Sequence, residues 1–154
     1  MAERTGYFED FNVGETLDHE GEVLLTKDLF TRLVEVNGFA DQAIHVDRDY
    51  ATAQGYRDII LPGPIIYLVV FGLTRRDVSW IGLNVGTDNM KHKAAVYPDD
   101  TLKAKSTVTD LSEWHGSRGK THGLVRVNTI GFNQDEQEVI DFTRSVLNPF
   151  RLSG

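Results

Sequence analysis

The sequence contains no cysteine, and its acidic residues outnumber its basic ones. Without cysteine the chain cannot form disulfides, use a thiolate nucleophile, or bind zinc or an iron–sulfur cluster through thiolates. The 23 acidic and 16 basic residues give a formal net charge of -7. Because nucleic-acid phosphates and anionic lipid headgroups repel an acidic surface, this charge argues against nucleic-acid and membrane partners.

Long apolar runs and internal repeats are also missing. No uninterrupted apolar segment is long enough to cross a bilayer. Residues 1–25 carry acidic side chains where a secretory signal would have a basic start and an apolar core. These absences predict a cytoplasmic protein that acts on a small molecule. With 40% hydrophobic residues and no linker rich in Pro, Gly and Ser, the chain is predicted to form a single domain, 1–154.

A first helix is predicted to begin after Thr26 and to end at Asn37-Gly38. The Thr26 hydroxyl can cap the first turn, an apolar face follows, and Gly38 readily adopts the left-handed conformation that ends helices. Residues 39–61 show no sustained periodicity, so they are predicted to form an irregular, partly exposed segment. Segments of this length commonly carry function.

A second helix is predicted at residues 65–73, where apolar residues cover every side, as a helix surrounded by protein requires. A buried strand is the alternative, because several of these residues are β-branched. Pro62-Gly63-Pro64 before the segment and Arg75-Arg76 after it favour the helix, since proline is tolerated in a first turn and cations stabilise a helix end.

The sequence pattern of the second half of the chain predicts β-strands. Residues 102–108 alternate between inward and outward types, which is the period of a half-buried strand. Helices first and strands later, without regular alternation, predict an α+β fold with an antiparallel sheet wrapped on the apolar central helix. The predicted strands are 16–25, 80–92, 101–111, 123–132 and 139–148.

One histidine stands out because of its neighbours. His45 lies in the irregular segment, close to Asp41 and ahead of Gly63. A lone histidine most often hydrogen-bonds a loop carbonyl. Here, however, Gly63 supplies a backbone N–H at a helix start, since the flanking prolines have none, and such an N–H can hold a developing enolate oxygen. The pattern therefore predicts a site that moves protons near a carbonyl group.

Three other site types are less well supported. His45, Asp47 and Asp49 alternate as metal ligands can, but no further histidine or carboxylate cluster lies nearby to complete the coordination, so no metal is predicted. Residues 116–121 look like a phosphate-binding loop, yet the spacing would require glycine at Trp114 and a strand follows, so a hairpin loop is favoured. No G-x-S-x-G motif supports a Ser-His-Asp hydrolase.

Several short segments, taken in order, resemble the MaoC-like family of acyl dehydratases, which includes the R-specific enoyl-CoA hydratases. Each segment is weak alone, but together they cover most of the chain in the right order and spacing. The segments are residues 7–14, 44–47 followed by Tyr50-Ala51, 55–58, Pro62-Gly63 and 97–102.

The resemblance implies a hot-dog fold and the hydration of an enoyl thioester. In that family an aspartate and a histidine hold the water that adds across the double bond, and a backbone N–H at the central helix holds the thioester oxygen. Carried over, His45 is the acid/base residue, Gly63 is the oxyanion donor and Asp41 is the carboxylate. Neither a metal nor a cofactor is implied, apart from the coenzyme A of the substrate.

The match departs from the family motif at the aspartate. That residue normally precedes the histidine by five positions and is followed by an Asn-Pro pair. Here Ala40 takes its place, Gln42-Ala43 replace the pair, and Asp41 is one residue out of register. Pro62 also stands where many members carry histidine.

The leading prediction is the reversible hydration of an enoyl-CoA to a 3-hydroxyacyl thioester. The displaced aspartate keeps open a non-catalytic hot-dog subunit that binds an acyl thioester or completes a partner's active site, and a hot-dog acyl-CoA thioesterase is a further alternative. A homodimer or higher homo-oligomer is expected, because the sheet of so small a fold leaves unpaired edges.

The remaining histidines and the basic residues of the strands are interpreted as solvated surface groups, although some of the basic ones could bind the phosphates of coenzyme A. These residues are His19, His92, His115 and His122, together with Lys91, Lys93, Lys103, Lys105, Arg118 and Lys120.

Overall fold

The computed structural model describes residues 5–152, so the predicted domain, 1–154, extends beyond the described residues at both ends. The helices are α1 (Lys27–Val36), α2 (Arg48–Ala53) and α3 (Gly63–Val78). The strands are β1 (Thr16–Asp18), β2 (Val23–Leu24), β3 (Leu83–His92), β4 (Thr101–Glu113), β5 (His122–Phe132) and β6 (Glu138–Pro149). Short 3-10 turns occur at Phe8–Asp10 and Ala43–His45.

The six strands form an antiparallel sheet in the order β1-β4-β5-β6-β3, and β2 also pairs with β4. This confirms the predicted α+β class and the antiparallel sheet. Side chains along β4 alternate between the two faces of the sheet. Leu102, Ala104 and Val108 are buried on the inward face, whereas Lys103 and Lys105 are exposed on the outward face. Burial of the apolar face is the main favourable contribution to the stability of such a layer.

Helix α3 packs across the inward face of the sheet. Ile65, Ile66 and Val70 belong to the same buried cluster as side chains of β4 and β6. The helix approaches β5 closely at Gly131, where an added Cβ would lie 2.6 Å from a Val70 methyl group. A residue without a side chain is therefore required at this crossing.

The edge of the sheet at β3 is uncovered. Most of this strand is exposed on both faces, including Leu83, Val85 and Met90. On α3, Leu68 is 53% exposed, although the sequence predicts a helix enclosed on every side. The isolated chain thus leaves an apolar helix face and an unpaired strand edge in contact with solvent.

The elements differ from the sequence prediction in several places, among them the start of β3, which lies at Leu83 rather than at residue 80. The segment 16–25 forms two short strands rather than one, and α3 extends five residues past the predicted end at Leu73 to reach Val78. The irregular segment also contains α2, which Asp47 caps by accepting a hydrogen bond from the Tyr50 N–H at 3.2 Å. In residues 5–152 no helix is sufficiently long and apolar to span a membrane.

Candidate active site

Gly63 is the first residue of α3, between two prolines. The N–H groups of Ile65 and Ile66 both donate to the Pro62 carbonyl, at 3.0 and 3.1 Å. The Gly63 N–H has no partner among the described residues, because the first amides of a helix have no intrahelical acceptor. It also lies at the positive end of the helix dipole. An oxygen with partial negative charge can therefore bind at this amide.

A cavity of about 380 Å³ opens in front of Gly63. Its walls are mainly apolar, with Tyr56, Ile60 and Ile66 among them, and His92 and Lys93 provide the polar side chains. A pocket with apolar walls and few polar groups is typical of small-molecule sites.

A larger cavity, of about 700 Å³, lies at the hairpin between β4 and β5. The hairpin adjoins Pro149 at the end of β6, whereas β3 ends beside Ile140 at the start of β6, so the two cavities lie at opposite ends of the sheet. Residues 116–121 form the loop of this hairpin, where the Trp114 indole N–H donates to the Ser117 carbonyl at 2.8 Å. The hairpin prediction is confirmed.

His45 is 8% exposed and is held by both ring nitrogens. Nδ1 lies 2.7 Å from the Ile60 carbonyl, and Nε2 lies 3.1 Å from the Gln42 side-chain oxygen. Because a carbonyl only accepts, Nδ1 carries a proton, and Nε2 of the neutral ring has a free electron pair. Rotation of the Gln42 amide by 180° presents either its NH₂ group to the neutral ring or its oxygen to the imidazolium. The Gln42 amide is thus compatible with both protonation states of the ring.

The 42–45 turn and the segment before α3 are joined at two points. Besides the bond from His45, the Ile60 N–H donates to the Ile44 carbonyl at 3.2 Å. Ile60 is followed three positions later by Gly63. These bonds fix the histidine turn against the chain that leads into the oxyanion amide, so two of the three predicted site residues belong to one connected unit.

Asp41, the third predicted site residue, is exposed, and its carboxylate forms no hydrogen bond or ion pair with residues 5–152. Gln42 contacts the ring instead. The catalytic role of Asp41 therefore stays a prediction. The contact between Gln42 and His45 goes beyond the sequence prediction, although the i, i+3 spacing within a turn is a signal for it.

Two other segments of the family resemblance, residues 55–58 and 97–100, contact each other near the His45 turn. Asp100 is buried and accepts from the Tyr97 N–H at 2.8 Å, which closes the turn before β4. The guanidinium of Arg57 lies 3.5 Å from the Asp100 carboxylate and 3.9 Å from the centre of the Tyr97 ring. Arg57 therefore joins the segment 55–58 to the turn at 97–100.

A Ser-His-Asp arrangement is also present, at the far end of α3. His19 Nδ1 lies 2.7 Å from the Asp77 carboxylate, and its Nε2 lies 2.7 Å from the Ser106 hydroxyl. Ser106 is fully buried and contacts the Thr129 hydroxyl at 2.7 Å. A serine without access to solvent cannot attack a substrate, so these residues are a structural network between α3 and the sheet.

A second buried polar group at this end of α3 is Arg144. Its guanidinium donates to the hydroxyls of Thr74 and Ser79, at 3.1 and 3.0 Å, and stacks 4.0 Å from the centre of the Phe71 ring. In residues 5–152 no carboxylate forms an ion pair with it. Burial lowers the pKa of Arg144 to about 10, an effect that Tyr67 opposes. The group is therefore charged at neutral pH.

Comparison with solved structures defines the class of protein. A Mycobacterium tuberculosis protein with a double hot-dog fold matches with a TM-score of 0.84 and 19% identity, over 98% of this chain and 47% of that one. A MaoC domain protein from Chloroflexus aurantiacus matches with a TM-score of 0.89 and 26% identity, over 98% of this chain and 42% of that one. The chain has the predicted hot-dog fold and is a MaoC-like hot-dog protein.

Sequence comparison narrows the class to a family. The chain belongs to the mesaconyl-CoA hydratase family, whose sequence model matches residues 1–153. It is 30% identical to the β-methylmalyl-CoA dehydratase of Chloroflexus aurantiacus, over 92% of this chain and 39% of that protein. It is 32% identical to the mesaconyl-CoA hydratase of Cereibacter sphaeroides, over 92% of this chain and 40% of that protein. The chain thus spans about two fifths of the length of these relatives.

Proposed function

We propose that this chain catalyses the reversible hydration of an enoyl-CoA thioester. The observation that carries the proposal is the unpartnered Gly63 N–H at an apolar cavity, on the same connected unit as the buried His45. Membership of a hydratase family supports the same reaction. The relatives' names suggest mesaconyl-CoA and β-methylmalyl-CoA as the first compounds to test.

The proposed chemistry is the addition of water to the double bond by acid–base catalysis. Once the Gln42 side chain leaves His45 Nε2, that nitrogen takes a proton from water as the water oxygen bonds to C3 of the enoyl group. The electrons of the C2–C3 double bond move toward the thioester oxygen, which becomes an enolate oxygen held by the Gly63 N–H. C2 then takes a proton from His45 to give the 3-hydroxyacyl thioester. The same steps in reverse eliminate water.

A direct assay follows the loss of enoyl absorbance with crotonyl-CoA and mesaconyl-CoA, in parallel with a measurement of released thiol. Loss of absorbance without thiol release supports a hydratase, and thiol release identifies a thioesterase. If the isolated chain and its oligomers turn over no enoyl thioester, the proposed function is wrong.

The same assay tests the carboxylate. If Asp41 reaches the ring when substrate is bound, Asp41→Asn lowers turnover by about two to four orders of magnitude, the usual scale for a general base. A wild-type rate in Asp41→Asn would show that Asp41 is a solvated loop residue without a role in the reaction. Gln42→Ala is the companion variant, because it removes the contact on His45 Nε2 and leaves Asp41 in place.

A second candidate function is a subunit that completes a partner's active site. Two observations favour it: Ala40 stands at the aspartate position of the motif, and the chain spans only about two fifths of its relatives. Mixing the chain with a second hot-dog chain that has the complete motif would then produce activity that neither chain has alone. Activity of the isolated chain excludes this candidate.

We also propose that two copies of this chain associate through the β3 edge and the Leu68 face of α3. Leu83, Val85 and Met90 on β3 and Leu68 on α3 are exposed in the single chain. Long, uncovered strand edges of this kind readily pair with another chain. Sedimentation at micromolar concentration is expected to show a dimer or larger oligomer, and a monomer would contradict the proposal.

A further inference from the structure

The imidazole of His92 lies directly against Gly63, at the end of β3. A Cβ on Gly63 would be 2.8 Å from Nε2 and 3.0 Å from Cε1 of His92, so glycine is the residue that leaves room for the ring. His92 also lines the same cavity as Gly63, and the positively charged Lys93 is next to it. The sequence pattern alone suggested only a surface histidine at a strand end.

The ring nitrogens of His92 form no hydrogen bond or ion pair with the part of the chain that the structure describes. The two other histidines near α3 differ in this respect. Both nitrogens of His45 and both nitrogens of His19 have protein partners. His92 is therefore able to donate to a ligand in the cavity without breaking a protein contact.

We propose that His92 is the second donor to the oxygen that binds at Gly63, an inference that rests on the proposed function. An enolate oxygen is usually held by two convergent donors, and the Gly63 N–H supplies one of them. His92 Nε2 borders the same space from the β3 side, and in the tautomer that carries its proton there it is a donor. Because negative charge develops on this oxygen only as the transition state and the enolate form, loss of the donor lowers kcat more than it changes KM.

Three variants separate donation from packing. His92→Leu removes the donor and keeps much of the side-chain volume, whereas His92→Gln retains an N–H donor. His115→Leu is the matched control, since His115 is an exposed histidine on the hairpin at the other end of the sheet. We expect His92→Leu to lower kcat about 10²-fold with little change in KM, as for other oxyanion donors. His92→Gln should recover part of this loss, and the control should match the wild type.

A spectroscopic measurement tests the contact without relying on turnover. Butyryl-CoA carries the same thioester carbonyl but has no double bond to hydrate, so it remains intact when bound. With a ¹³C label at the carbonyl, infrared difference spectra are expected to show its stretch at lower frequency in the wild-type complex. His92→Leu should lose part of that shift, whereas His92→Gln and His115→Leu should retain most or all of it.

The outcomes distinguish the two proposals. A carbonyl shift in His92→Leu equal to that of the wild type overturns the role of His92, as does the absence of butyryl-CoA binding or of any carbonyl shift in the wild type. A His92-dependent shift without turnover of any enoyl-CoA supports the contact and contradicts the hydratase proposal. Turnover with a His92-independent shift leaves the hydratase proposal intact and rejects this inference alone.

Discussion

The two ends of α3 carry similar polar residues in opposite situations. At the carboxyl end, Arg144 and His19 are buried and bonded to protein groups. At the amino end, Gly63 and His92 face a cavity, and neither the Gly63 N–H nor the His92 ring has a partner within residues 5–152. The difference shows that the arrangement of residue types does not identify a site by itself: the groups that hold the ligand must also be accessible and free to bind.

The Ser-His-Asp network illustrates this point. Its distances match those of a hydrolase triad, yet Ser106 is inaccessible and is also bonded to Thr129. Buried polar groups of this kind must be satisfied, because an unpaired one costs about 1–3 kcal/mol. We therefore expect variants at the amino end to change turnover and variants at the carboxyl end to change stability.

The largest expected effect is that of His45→Ala. Removal of the acid/base imidazole should lower turnover by about 10²- to 10⁴-fold. The assay is the loss of enoyl absorbance, with circular dichroism to verify that the variant is folded, and His115→Ala provides the control. Wild-type turnover in a folded His45→Ala protein would contradict the proposal that the active site lies at the amino end of α3.

Gly63→Ala should have the next largest effect. The new methyl group would lie 2.8 Å from His92 Nε2, so the ring must move away from the helix start. We expect turnover to fall by about 10- to 100-fold, the scale of a partly lost oxyanion contact, with little change in melting temperature because the displaced side chain is exposed. His115→Ala is the control, since His115 is exposed on the hairpin at the opposite end of the sheet. Equal turnover in the two variants would contradict the role of the Gly63 contact.

At the carboxyl end, Arg144→Lys should reduce stability by about 2–3 kcal/mol. Lysine keeps the buried charge but loses the planar stacking on Phe71 and the second terminal nitrogen, which donates to the Asn84 side-chain oxygen at 3.4 Å. Arg144→Met removes the charge and should be the more stable of the two variants. Chemical denaturation measures both, and KM for the thioester should stay at the wild-type value. A Met variant less stable than the Lys variant would show that the charge itself stabilises the fold.

His19→Ala should have the smallest effect in this series, about 1–2 kcal/mol of lost stability. The substitution leaves the Asp77 carboxylate and the Ser106 hydroxyl without their shared partner, although each retains some compensation from solvent or from Thr129. Thermal unfolding gives the change, with turnover measured at a temperature where the variant is folded. A loss of turnover larger than the loss of folded protein would mean that this network contributes to the reaction.

Much of the fold follows from local signals. The Thr26 hydroxyl accepts from the Leu29 N–H at 3.1 Å, as its position before an apolar face predicts, and α1 ends at Val36 with Asn37 as its C-cap. The alternation at residues 102–108 also predicts β4, and Pro62-Gly63-Pro64 predicts the start of α3. By contrast, α2 was missed, because its six residues are too few to show periodicity and the capping role of Asp47 resembled a potential metal ligand.

The site was only partly predictable. His45 and Gly63 were accessible to sequence reasoning because each has a distinctive local context. The position of His92 against Gly63 depends on how the end of β3 meets the start of α3, which no local pattern encodes. The same holds for the link from His19 to Asp77 and Ser106, whose members lie on separate elements.

The close crossing at Gly131 has a consequence for the reaction. Val70 is two helical turns from Gly63, or about 10 Å along the axis, so a bulkier residue at 131 would tilt the helix and move its first amide relative to β3. Turnover can therefore be altered by a substitution that no ligand atom reaches. The absence of one methyl group near the end of β5 thus sets the alignment of the reacting groups at the start of α3.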